Sequence, residues 1–234
     1  MNAPAATVTE IWRYPVKSLG GEALTSVRVS SLGIDGDRSW GLVDPTTGYV
    51  LTARREPRLL YLRARWTTAG PIITTADGEQ LDNSTELSRW LDRPVVLTAA
   101  GAEGGTYENP LDVERDEDWV SWQGPGGAWH DNVDMQISLV TTRSLGTWEP
   151  QRFRINLIIH DEGQLDWGAA TLRVGSATLV PSRPIERCVM VTRAQPGIAR
   201  DLDVLRTIRK TTGTFGHGAT IRQPGTITVG DHIS

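Results

Sequence analysis

Leu60, Leu62, Ala64 and Trp66 alternate with Tyr61, Arg63 and Arg65. Side chains of an extended chain point to opposite faces in turn, so this spacing predicts a strand with one buried and one solvated face. Shorter stretches of the same kind occur at Val27 and Val29, and at Trp40, Leu42 and Asp44. Turn-forming residues separate them: Gly20 with Gly21, Asp35 with Gly36, Pro45 with Gly48, and Asp77 with Gly78. Further strands are expected at 137–140, 156–159, 171–174, 177–180 and 226–229, with a turn at Gly175 and Ser176. Helix signals are few. Asn83 can cap one helix with Glu86 reaching back, and Asp92, Arg93 and Pro94 end it. Asp201 can cap another, with Leu202, Leu205 and Ile208 on one side. Many short strands with few helices predict a mainly β fold with minor α content, a small N-terminal β-barrel followed by a larger one. The expected division is 1–98 and 99–234.

A chain of 234 residues can hold one large core or two modest ones. Its 38% hydrophobic and 22% charged residues are ordinary for a globular protein. A formal net charge of −4 gives no support to nucleic-acid or membrane-surface binding, so neither partner is expected. Met1 to Glu10 lacks the basic flank and apolar run of a signal peptide, and no apolar stretch approaches the roughly 18 residues of a membrane span. A cytoplasmic location is the expectation. The single cysteine, Cys188, rules out an internal disulfide, a four-cysteine zinc site and a cysteine-ligated iron–sulfur cluster held by this chain alone. Nine Trp against two Phe read as large rigid filler in a β-rich core and around a pocket. Residues 101–131 are polar and glycine-rich, with an acidic run from Glu114 to Asp118. They are expected to form a solvated loop, with a flap carrying Trp119, Trp122 and Trp129 over a site as the alternative.

Three basic clusters sit beside turns, where side chains and backbone donors can converge on an anion. The first is YPVKSLGG from Tyr14 to Gly21, in which Lys17 supplies charge, Ser18 a hydroxyl and the glycines a close backbone approach. The second joins the run from Asp35 to Arg38 to the run from Thr52 to Arg55, with Arg38, Arg54 and Arg55 as its cations, and the third is Arg152, Arg154 and Asn156. An arginine-dominated set suits phosphate oxygens, because the guanidinium fork matches them. Around Cys188, Arg183, Arg187 and Arg193 favour a thiolate, and Pro181 and Pro184 stiffen the backbone and argue against a central strand. Such a thiolate is a soft ligand for a transition metal; a small buried hydrophobe is the competing reading. No histidine has a partner at metal spacing; His160 reads as structural and His217 as a pocket candidate. Carboxylate pairs of glycosidase type and nucleotide-binding glycine patterns are absent.

YPVKS, GDRSW and TARREPRLL resemble the N-terminal β-barrel domain that precedes MOSC domains. RFRINLII, WGAATLRVG, the P-x-x-R-C run at 184–188 and the closing G-x-I-T-V-G-D resemble the MOSC domain itself. The resemblance covers nearly the whole chain in the family's order and extends to the mitochondrial amidoxime-reducing components and their bacterial counterparts. It implies a molybdenum cofactor (Mo-molybdopterin) in a basic pocket between the two domains, with Cys188 as catalytic metal ligand. It further implies phosphate contacts from Lys17, Ser18 and Arg38, and pterin or phosphate contacts from Arg154 and Asn156. Arg187, next to the metal ligand, would also bind the cofactor, and Thr141, Thr142 and Arg143 fall where the family places a polar cofactor-binding turn. The implied reaction is two-electron reduction of N-hydroxylated compounds.

Some features depart from the family pattern. Glu186 stands where relatives often have Ser, and Ile155 where they have Pro. Only about ten residues separate Thr142 from Arg154, where relatives insert a helix. With no further cysteines, electrons would come from a separate donor protein. Two alternatives stay open: a sulfur carrier with a persulfide on Cys188, and a module that binds the cofactor without turnover.

Overall fold

A computed structural model describes residues 6–112, 117–163 and 165–234. The fold is mostly β, with a closed seven-strand barrel and few helices. Its first part runs β1 (Ala6–Arg13), β2 (Glu22–Leu24), β3 (Ser26–Ser30), β4 (Gly33–Ile34) and β5 (Trp40–Val43), then β6 (Leu62–Thr67), β7 (Gly70–Thr75), β8 (Gln80–Leu81), α1 (Ser84–Leu91) and β9 (Val96–Ala99). As the alternation requires, β6 buries Leu62 and Ala64 and exposes Arg63 and Arg65. Leu60 and Tyr61 instead belong to a 3-10 turn, Pro57–Tyr61. The buried faces of β5, β6 and β7 meet Leu87 and Leu91 of α1 in one apolar core. Asn83 caps α1 by accepting from the amides of Thr85 and Glu86, and Asp92 closes it in a left-handed conformation. Glu86 reaches back to the amide of Asp82 rather than that of Asn83.

The polar stretch corrects the expectation of a loop. It folds as a hairpin of β10 (Thr106–Asp112) and β11 (Glu117–Gln123), registered from Thr106 opposite Gln123. The hairpin is anchored by few residues: buried Tyr107 lies 4.8 Å from Trp122 and 6.5 Å, edge-on, from buried Trp129. Most of the acidic run lies outside the described residues.

β12 (Ile137–Thr141), α2 (Thr142–Leu145), α3 (Pro150–Phe153), β13 (Leu157–His160), β14 (Leu172–Val174), β15 (Ala177–Glu186), α4 (Asp203–Thr211), β16 (Thr214–Gln223), β17 (Gly225–Thr228) and β18 (His232–Ile233) complete the chain. The barrel runs β13-β12-β16-β15-β14-β18-β1 and closes where β1 pairs with β13. Its interior is filled by Val8, Ile11, Leu139, Leu157, Val174 and Leu179, among others. β12 and β13 are parallel, so the chain must cross over between them, and the short connection does so through the single turns α2 and α3.

Two further expectations are corrected. β15 passes through both Pro181 and Pro184 and still pairs with β16; the ladder accommodates them by shifting register between Pro181 and Pro184 and again before Glu186. Helix α4 starts at Asp203, and Leu202 is exposed rather than packed, while Asp201 accepts from the amide of Asp203. Val204, Leu205 and Ile208 make the buried face.

Candidate functional site

Turns from both halves of the chain surround a cavity of about 210 Å³. Lys17 and Ser18 follow β1, Arg38 precedes β5, and Thr52 and Arg54 lie between β5 and the 3-10 turn. His130 and Asp131 follow the hairpin, Arg154 and Asn156 lead into β13, and Arg187 and Cys188 follow β15. Backbone bonds knit these turns together: the Lys17 amide donates to Trp40, that of Arg38 to Tyr14 and that of Trp129 to Arg38, at 2.7–2.8 Å. Ser18, Arg38 and Arg154 all adopt left-handed backbone, with φ of 68°, 50° and 55°. Non-glycine residues rarely do so, and the surrounding contacts must hold them there.

The cavity wall is dense in buried cations. Lys17 is buried, and its Nζ donates to the Trp129 carbonyl at 2.8 Å and to Asp131 Oδ1 at 2.7 Å. Burial pulls its pKa down against the opposing effect of Asp131. Desolvation at the cavity wall opposes the charge on Asp131, whose side chain is still half exposed, but Lys17 and Arg54 outweigh it and hold that carboxyl well below its ordinary value. Arg38 is paired with buried Asp37 and donates through Nη2 to the Arg154 carbonyl at 3.1 Å. Arg152 is fully engaged by Glu149 and by the carbonyls of Val191 and Ala199 at 3.0–3.2 Å, so its role is to fasten α3.

Arg154 and Arg187 have no carboxylate partner among the described residues. Arg154 donates to the Leu19 carbonyl and lies 4.4 Å over the Tyr14 ring. Arg187 donates to the carbonyls of Phe215 at 2.8 Å and Phe153 at 3.0 Å. Burial pushes both guanidinium groups down to about 10, so they stay charged at neutral pH. Burial likewise opposes the charge on Arg54, but the Cys188 sulfur and Asp131 outweigh it and its pKa rises. Four buried polar atoms of the wall have no partner among the described residues: Thr52 Oγ1, Arg54 Nε, Arg154 Nη2 and Arg187 Nη2. A buried, uncompensated cation is costly. Arg154 and Arg187 both face this cavity without a carboxylate partner, a setting that suits an anion, and the half-buried free Cys188 adds a soft donor at its wall.

Residues 5–108 match the MOSC N-terminal beta barrel domain, and residues 128–234 match the MOSC domain. The chain belongs to the MOSC family. This MOSC protein is 30% identical over 112 residues to mitochondrial amidoxime-reducing component 1 of Homo sapiens, a match covering 46% of the chain and 30% of that relative. It is 34% identical over 79 residues to mitochondrial amidoxime reducing component 2 of Homo sapiens, covering 32% and 23%. The matched stretches thus span less than a third of the length of either relative. The YUAD protein from Bacillus subtilis is 11% identical with a TM-score of 0.46, covering 98% of this chain and 94% of that one.

Of the residues singled out by sequence in this MOSC protein, Lys17, Ser18, Arg38, Arg154, Asn156, Arg187 and Cys188 line the one cavity. Asn156 is there mainly as a bolt. Its Oδ1 accepts from the amide and hydroxyl of Ser138, and its Nδ2 donates to the Trp12 carbonyl at 3.1 Å. Thr141, Thr142 and Arg143 do not line the cavity; Thr141 Oγ1 caps α2 by accepting from the Ser144 amide at 3.1 Å. Gly20 and Gly21 are likewise turned away. The missing side chain of Gly21 makes room for the Arg13 carbonyl and the Tyr14 ring. His217 stacks flat on Trp167 at 4.2 Å outside the cavity. Arg183 and Arg193 do not line the cavity either, and Arg54 takes the place beside Cys188 expected of them. Among the three hairpin-region tryptophans, only Trp129 contributes, through its carbonyl. Thr52, from the second basic cluster, lines the cavity too, whereas His130, Asp131, Met135 and Ser138 were not foreseen as wall residues. Among the described residues, no helix is long and apolar enough to cross a membrane, and no cluster of three or more His, Cys, Asp or Glu side chains is placed to hold a metal ion.

Proposed function

We propose that this cavity binds a molybdenum–pterin cofactor by its phosphate, with Cys188 as the protein ligand to molybdenum, and that the protein reduces N-hydroxylated compounds. The observation that carries the reading is the convergence of unpartnered buried guanidinium atoms and a lone cysteine on one cavity. The donor set fits the group: guanidinium forks suit phosphate oxygens, and a thiolate suits a soft metal. Arg154 and Arg187 would hold the anion, with Arg54 between it and the cysteine. Asp131 keeps Lys17 oriented towards the wall, and Ser18, whose Oγ accepts from the Ala53 amide at 3.0 Å, keeps its own proton for a ligand. The bound cofactor would supply a two-electron redox centre. The names of the relatives support the reduction chemistry.

Molybdenum and pterin content of protein made in a cofactor-competent host tests the reading. Near-stoichiometric metal is expected, and metal-free protein carrying a Cys188 persulfide would favour the sulfur-carrier alternative. With one cysteine in the chain, electrons should come from a separate redox protein. Loaded protein should reduce a hydroxylamine-type substrate with reduced viologen and should not do so with NADH alone.

A further inference from the structure

A second cavity has a volume of about 280 Å³. Trp12, Leu60 and Ile198 give it an apolar lining. Gln195 lines it as a deeply buried side chain, about nine-tenths inaccessible, whose Nε2 has no hydrogen-bond partner among the described residues; the hydroxyl of buried Tyr14, also on the wall, donates to the Ile155 carbonyl at 3.4 Å. The Gln195 backbone cannot easily turn away, because its amide donates to Ile198 O at 2.9 Å and its carbonyl accepts from the Ile198 amide at 2.8 Å. Leaving an amide N–H buried and unpaired is unfavourable, so the wall is built to donate to something. At the rim stands Arg63 on the exposed face of β6, with no carboxylate within ion-pair distance among the described residues. Glu149, also at the rim, is taken by Arg152 at 3.2 Å.

An apolar floor, one buried neutral donor and one unpaired cation describe a site for a small acid with a flat apolar body. We infer that this cavity binds an aromatic carboxylate, its ring against Trp12, Leu60 and Ile198 and its carboxylate between Gln195 Nε2 and Arg63. The inference does not depend on the proposed cofactor. The two cavities do share a partition: Tyr14 lines this one, and Arg154 of the other lies 4.4 Å over its ring. The single turn α3 likewise presents Gln151 to this cavity and Arg152 and Phe153 to the other.

Benzoate is the probe, titrated into the full chain and followed by ligand-observed NMR and tryptophan fluorescence. A ligand of that size should bind with Kd on the order of 1 mM. Gln195→Leu should weaken it about tenfold by removing a hydrogen bond to a charged group. Arg63→Ala, an exposed change that leaves the core intact, should weaken it about threefold, as expected of a rim charge. Ile198→Trp should abolish binding by filling the floor. Arg187→Met, confined to the cationic cavity, should leave benzoate affinity unchanged, and benzamide should bind more weakly than benzoate. The inference is overturned if benzoate does not bind, if Arg187→Met rather than Gln195→Leu removes binding, or if benzamide binds equally well.

Discussion

His130 should make this fold sensitive to mild acid. The ring is 5% exposed, its Nε2 lies 3.0 Å from the Leu32 carbonyl, and its pKa is pushed down to about 4, by burial first and then by Arg38. Below about pH 6.5 the unfolded chain takes up a proton here and the folded chain does not. Stability is therefore full above that pH and declines as pH falls towards 4. The span of 6.5 − 4, about 2.5 pH units, corresponds to about 3 kcal/mol in all, of which about 2 kcal/mol has gone by pH 5. Urea unfolding of the wild type and of His130→Gln should be followed between about pH 7 and pH 5. Carboxylates titrate alike in both proteins and cancel in the difference. The gap between the two curves should change by about 2 kcal/mol in the variant's favour as pH falls. Parallel curves would refute the assignment of this acid sensitivity to His130. Because Arg38 contributes to the depression, inorganic phosphate bound in the cavity should partly neutralise it and make the wild-type slope shallower.

Other expected outcomes follow from the same cavity. Arg154→Met should lower affinity for inorganic phosphate by about tenfold or more, while thermal stability of the ligand-free protein stays level or rises, because a buried uncompensated charge is lost; calorimetry and a melting curve check both. Cys188→Ala should keep a substantial share of the pterin yet lose nearly all turnover, measured as activity per bound molybdenum; wild-type activity on that scale would return Cys188 to a packing role. Asn156→Ala should cost about 2–4 kcal/mol in urea unfolding, since it strips partners from Ser138 and Trp12 at the seam of β12, β13 and β1.

The β-barrel architecture was legible because alternation and turn residues act locally, as at Leu62 to Arg65 and at Asn83. The cationic residues were legible because each sat beside a turn, although only folding shows that Lys17, Arg38 and Arg154 meet. His130 and Asp131 were missed because the hairpin before them is anchored by Tyr107, Trp122 and Trp129, too few apolar residues to leave a rhythm. A threonine hydroxyl at a turn reads equally as a ligand contact or a helix cap, and only the Ser144 amide decides between them at Thr141. Arg54 lay in a recognised basic cluster, but its closeness to Cys188 arises between segments over a hundred residues apart.

The left-handed backbone at Ser18, Arg38 and Arg154 has a bearing on how this protein can drift. At each position glycine would relax the chain by about 1 kcal/mol while erasing a side chain from the cavity wall. Libraries selected for heat resistance alone should fill position 154 with glycine or asparagine but keep Arg38, which pairs buried Asp37, and Ser18, which accepts from the Ala53 amide; libraries selected for retained ligand should restore Arg154. A lineage that gave up its ligand would record the loss first at position 154, well before its barrel changed.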